Sequence, residues 1–80
     1  MLFLVQYDRR SSSLRTLKQY FDYQQSEADE ARLNLELRLI AEGIEDEVVL
    51  LDAEDINALV KTHRRYFENV SQLTEEAINR

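Results

Sequence analysis

Eighty residues, 44% of them hydrophobic and 32% charged, leave room for one modest core and exclude both a disordered chain and a membrane-embedded one. There is no cysteine, which removes disulfides and thiolate zinc ligands, and no run approaches the roughly 18 apolar residues of a bilayer span. The net charge of −6 is concentrated, because residues 25–60 hold eleven acids against Arg32 and Arg38 while both ends are weakly basic. Bulk electrostatics therefore count against nucleic acid as a partner.

In chain order, Leu2 to Tyr7 reads as a first strand, bulky and apolar on both faces and so suited to a central position. Asp8 to Ser13 is a polar connection of hairpin length, and Leu14 to Phe21 is a second strand with less regular alternation. Ser26 has the character of an N-cap, followed by Glu27, Asp29 and Glu30 at the positive end of a helix dipole. Leu33, Leu35, Leu37 and Leu39 alternate with the period of a strand. Leu, Glu, Arg and Ala are strong helix formers, however, and both ends look like helix ends, so a helix is expected. Gly43 stands where a left-handed residue closes a helix, with Ile44 placed to reach back to Leu39.

Glu47 to Leu51 reads as a short strand of buried type. Asp52 can cap a second helix, along which Ile56, Leu59, Val60, His63, Phe67 and Val70 form one apolar stripe. Its end is open: Asn69 or Ser71 can break it, whereas Leu73 and Ala77 would continue nearly the same stripe. The chain is without proline, repeat or linker, so residues 1–80 form a single domain. The expected fold is α+β of order ββαβα. It has a three-stranded antiparallel or mixed sheet of spatial order 2-1-3 and two helices on one face, a truncated ferredoxin-like unit.

No grouping of residues carries recognisable chemistry. His63 is the only histidine and lies within an apolar stripe, so it reads as a packing residue rather than a base or metal ligand. Glu42, Glu45, Asp46 and Glu47 lack the ligand spacing and central glycine of a calcium loop and read as a solvated turn. Arg9 and Arg10 at the hairpin tip, with Lys61, Arg64 and Arg65 on the second helix, are the candidate phosphate contacts. Neither a glycine-rich loop nor a solvent-facing aromatic pair is evident beside them, so exposed ion pairing is the favoured reading. Ser11 to Ser13 are turn residues with no base partner.

The first helix is less ordinary. At 100° per residue, Leu33, Leu37 and Ile40 fall on one side and Ala28, Ala31, Leu35 and Leu39 on the opposite side. A helix on a small sheet needs one apolar stripe, so the second must be covered by the other helix or by another chain. The candidate interaction surface is Ala31, Leu35 and Leu39, with Val49 and Leu51 on the third strand.

These features point to a non-enzymatic interaction or regulatory module that is cytoplasmic, free of cofactor and metal, not membrane-bound, and a homodimer, with another protein as a further possible partner. A homodimer is expected because a small core without cross-links is marginal. Nucleic-acid binding through the basic hairpin and helix is the alternative. An enzyme assembled at a dimer interface around His63 and Tyr66 is a weaker third.

Overall fold

The computed structural model describes residues 1–68, and the elements follow the expected order: β1 (Leu2–Asp8), β2 (Ser13–Tyr20), α1 (Gln25–Glu42), β3 (Glu47–Asp52) and α2 (Ile56–Thr62). β1 is central, both neighbours pair with it antiparallel, and the sheet order is 2-1-3. The sequence predicts this order because β1 is bulky and apolar on both faces over its whole length, and it is buried from Leu2 to Tyr7.

The helices do not share a face. Leu2 and Leu4 of β1 point to one side, where they pack with Tyr20 and with Ala28, Leu35 and Leu39 of α1. Phe3, Val5 and Tyr7 point to the other, where they pack with Leu59 of α2 and with Tyr66 and Phe67 beyond it. The result is a three-layer arrangement of helix, sheet and helix, which corrects the expected placement of both helices on one side. The physical reason lies in β1 itself. With both helices on one face, Phe3, Val5 and Tyr7 would stand in water, at a cost of about 1.5–3 kcal/mol for each large apolar side chain.

The β1–β2 hairpin is shaped by local polar chemistry. Asp8 Oδ1 accepts from Arg10 N at 3.0 Å and Asp8 Oδ2 accepts from the Ser11 hydroxyl at 2.8 Å, the short-range pattern that favours a turn. Ser12 completes it in the left-handed region, with φ of 55°. The register then shifts between Gln6 and Tyr7, whose partners are Thr16 and Leu14, so Arg15 is the extra residue of a β-bulge.

The ends of α1 differ in how well the sequence marks them. Its start lies earlier than Ser26, since a 3₁₀ turn over Asp22–Gln24 leads straight into Gln25. Phe21 anchors that turn, donating its N–H to Gln24 Oε1 at 2.8 Å and accepting from Gln24 N at 2.9 Å. The far end is as expected. Gly43 has φ of 70°, its N–H reaches Ile40 O at 3.1 Å, and Ile44 N reaches Leu39 O at 2.9 Å. This is a Schellman ending that satisfies carbonyls left open by the last turn.

α2 is shorter than its apolar stripe suggests. Asp55 rather than Asp52 caps it, accepting from Ala58 N at 2.8 Å, because Asp52 still belongs to β3. Its last turn ends at His63, whose φ of −129° and ψ of 50° leave the helical region. A 3₁₀ turn over Arg64–Tyr66 follows and delivers Tyr66 and Phe67 to the core. The continuation expected through Val70, Leu73 and Ala77 lies outside the described residues.

Candidate functional site

The alternation Leu33, Leu35, Leu37, Leu39 becomes two opposite helix faces, because residues two apart on a helix stand about 200° apart. Ala28, Leu35 and Leu39 are buried, and Ala31 packs beside them. Leu33, Leu37 and Ile40 are 50%, 55% and 74% exposed, and Ile44 just past the helix is 42% exposed. The second stripe therefore exists, but on the side opposite to the one expected to dock a partner. Ala31, Leu35 and Leu39 belong to the core, and the surface is built by Leu33, Leu37, Ile40 and Ile44.

A signal for this assignment is present in the sequence. The inner stripe runs the whole length of α1 and begins with two alanines, which let a helix approach a sheet closely. The outer stripe begins only at Leu33, after Ser26, Asp29 and Glu30 on the same side. Val49 and Leu51 are likewise not a free surface, since both pack into the cluster beneath α2. Because α2 lies on the opposite side of the sheet, it does not cover the outer stripe of α1.

The candidate phosphate contacts do not form one cationic surface. Arg9 and Arg10 are exposed at the hairpin, where Arg10 stands 3.8 Å from Glu45 in a fully solvated pair. Arg65 is committed elsewhere. It donates to Glu47 Oε2 at 2.6 Å and to the Tyr66 hydroxyl at 2.7 Å, and its guanidinium lies over the Tyr66 ring, 4.3 Å from the centroid. Lys61 and Arg64 are exposed.

The same cluster fixes the chemistry of Tyr66. Its hydroxyl donates to Glu47 Oε2, and its ring meets that of Tyr7 edge-on at 5.2 Å. Burial and the adjacent carboxylate push the Tyr66 hydroxyl above its usual pKa, so it remains a protonated donor. That hydrogen bond, seconded by Arg65, holds Glu47 below the usual carboxylate range. His63 is half-buried, with its ring centroid 6.4 Å from that of Tyr66, which is the packing role its stripe implies.

At the hairpin end, a cavity of about 270 Å3 is lined by residues that include Arg9, Arg10, Arg15, Asp8 and Asp46. Arg15, raised by the bulge, bridges Asp8 Oδ2 at 2.7 Å and Asp46 Oδ2 at 3.0 Å. Asp46 also accepts from Gln6 Nε2 at 2.7 Å, and Gln6 Oε1 accepts from Thr16 at 2.8 Å. The buried Gln6 thus has a partner at each end of its amide, which ties β1 to β2 and to the loop before β3. Among the described residues no group of three His, Cys, Asp or Glu is arranged to hold a metal ion.

A solvent-facing aromatic pair is present after all. Phe21 and Tyr23 stack with centroids 5.6 Å apart and planes 6° from parallel, and both are exposed. The pair was hidden in the sequence because Phe21 reads there as the end of a strand. It sits by the end of β2 near Asp22 and the Met1 ammonium, 2.7 Å apart. Arg9 and Arg10 are at the other end of that hairpin, so stacking surface and cations are not joined. Comparison with protein-family models, with curated proteins and with solved structures finds no match.

Proposed function

We propose that this chain is a small non-enzymatic interaction module that serves a regulatory or adaptor role by docking another protein on the outer face of α1. The observation that carries the reading is the exposed row Leu33, Leu37, Ile40 and Ile44. Leu33, Leu37 and Ile40 are spaced as the seam of a helix–helix contact, with steps of four and three, and Ile44 follows just past the helix end. Scattered exposed leucines are ordinary, but a contiguous row along one helix marks a docking face.

The surroundings of the row indicate the occupant's chemistry. Asp29 and Glu30 flank its start and Glu45 lies beyond its end, all exposed. Of the helix's two cations, Arg32 is paired with Glu36 at 2.8 Å and Arg38 lies about 100° away from Leu37 around the axis. An amphipathic helix with apolar side chains on one face and Lys or Arg at its rims is the complementary partner. No helix among the described residues is long and apolar enough to cross a membrane. A chain without cysteine suits the reducing cytoplasm in which the module is placed.

The test uses two designed helical peptides of one length, one of leucine and lysine and one of leucine and glutamate, titrated into the 15N-labelled protein. The basic peptide should bind at micromolar concentration, shift amides between residues 30 and 44, and bind at least tenfold more weakly to Leu37→Glu. Absence of binding, or equal binding of both peptides, would contradict the reading. Nucleic-acid binding is the weaker alternative, because the stacked aromatics and the exposed arginines Arg9 and Arg10 lie at opposite ends of the hairpin.

A further inference from the structure

The two edges of the sheet are not alike. β2 carries the devices that protect an edge from pairing: the bulge at Arg15, which twists the strand, and the exposed charge of Lys18. β3 has no bulge, and its two charges, Glu47 and Asp52, stand only at its ends. Its register against β1 is regular over six residue pairs, from Glu47 opposite Tyr7 to Asp52 opposite Leu2. Four consecutive apolar residues, Val48 to Leu51, occupy its middle. Among the described residues β3 pairs only with β1.

The backbone of β3 shows which groups the free edge offers. Ala53 N donates to Met1 O at 3.0 Å, so the residue pairs that exchange hydrogen bonds across β1 and β3 are the odd-numbered ones, Leu51 with Phe3 and Val49 with Val5. Val48, Leu50 and Asp52 therefore aim their N–H and C=O groups away from β1. A row of such groups next to apolar side chains is a template for one more strand.

We propose that a second copy of this chain supplies that strand, and that two β3 edges pair antiparallel about a two-fold axis at Leu50. This inference is independent of the α1 docking face and adds an assembly on which that face is displayed twice. The register follows from which outward groups find partners within β3. An axis at Val49 would pair Val48 with Leu50 but leave the outward groups of Asp52 opposite Asp46, which lies outside β3. An axis at Val48 would leave Leu50 to Asp52 opposite residues that precede β3. With the axis at Leu50, Asp52 faces Val48, Leu50 faces its own counterpart and Glu47 faces Ala53, and the acids Asp46 and Glu54 meet only beyond the ends of β3. The outward groups of Val48, Leu50 and Asp52 are then all paired, and the two sheets merge into one of six strands with both copies of α1 on the same side.

Two measurements test this. Sedimentation equilibrium should give twice the chain mass at tens of micromolar. Isotope-filtered NOE spectra on a mixture of 13C-labelled and unlabelled chains should then show contacts between Val49 and Leu51 of different copies, since this non-hydrogen-bonded pair brings Cα atoms to about 4.5 Å. Asp52→Pro removes an outward N–H from an exposed position and leaves the β1 ladder intact. It should weaken the dimer at least tenfold while the circular dichroism of the monomer is unchanged. A monomer mass at high micromolar concentration would overturn the proposal. So would a dimer whose inter-copy contacts involve Leu33 and Leu37 but not β3.

Discussion

Gly43 and Ser12 both occupy the left-handed region, at φ of 70° and 55°, and only one of them is suited to it. A Cβ at position 43 would meet nothing within 4 Å, so the cost of Gly43→Ala is the backbone conformation alone, about 1 kcal/mol. Ser12→Gly runs in the opposite direction and should be neutral or stabilising by up to about 1 kcal/mol. Urea titration of the two variants checks both signs. A lower midpoint for Ser12→Gly than for the parent chain would contradict this account of the turn. Asp8 adds a dependence on pH. Hydrogen bonds from Ser11 and Arg15 hold its carboxyl at about 2, against an ordinary 3.8. A depressed folded-state pKa favours the fold above the ordinary value, and the benefit disappears as pH falls toward 2. Stability should therefore decline from about pH 4 to pH 2, and the decline should be shallower in Asp8→Asn. Equal pH profiles for the two proteins would show that the pairing contributes nothing.

At the scale of the element, α1 was legible as a helix with two apolar stripes, and its C-terminal closure at Gly43 was legible in detail. What the sequence reading missed was the assignment of stripes to sides, since amphipathic periodicity locates faces without saying which one meets the sheet. The extent of each stripe resolves it, with Ala28 and Ala31 extending only the inner one. The start of α1 was missed because the 3₁₀ turn over Asp22–Gln24, closed by Gln24 Oε1 accepting from the Phe21 N–H, feeds the helix directly and leaves Ser26 inside it. Leu35→Glu and Leu37→Glu, two residues apart, separate the faces. Leu35→Glu removes buried apolar surface and places a charge in the core, so it should cost more than about 3 kcal/mol and unfold a domain of this size. Leu37→Glu should change the midpoint by less than about 0.5 kcal/mol. Thermal or urea unfolding of the pair decides between them, and a Leu37→Glu chain that fails to fold would return that residue to the core.

For the whole molecule, strand order was readable because β1 is apolar on both faces. The same fact implies cover on both faces, and that implication places α1 and α2 on opposite sides. The cluster joining Glu47, Arg65, Tyr66 and Tyr7 was not readable. It depends on the 3₁₀ turn after His63, where the backbone leaves the helix while the apolar spacing continues. In the resulting three-layer domain both faces of β1 are spent on the core, and among the described residues the outer face of α1 is the largest apolar row left to solvent. The most direct test of its use places a photo-reactive benzoylphenylalanine at position 37, and separately at 33 and 40, in the full chain expressed in its native cell. The account predicts a discrete cross-linked partner from all three positions, with the cross-linked peptide mapping to an amphipathic helix of basic rim. Clean expression and folding of all three variants with no adduct from any of them would contradict it.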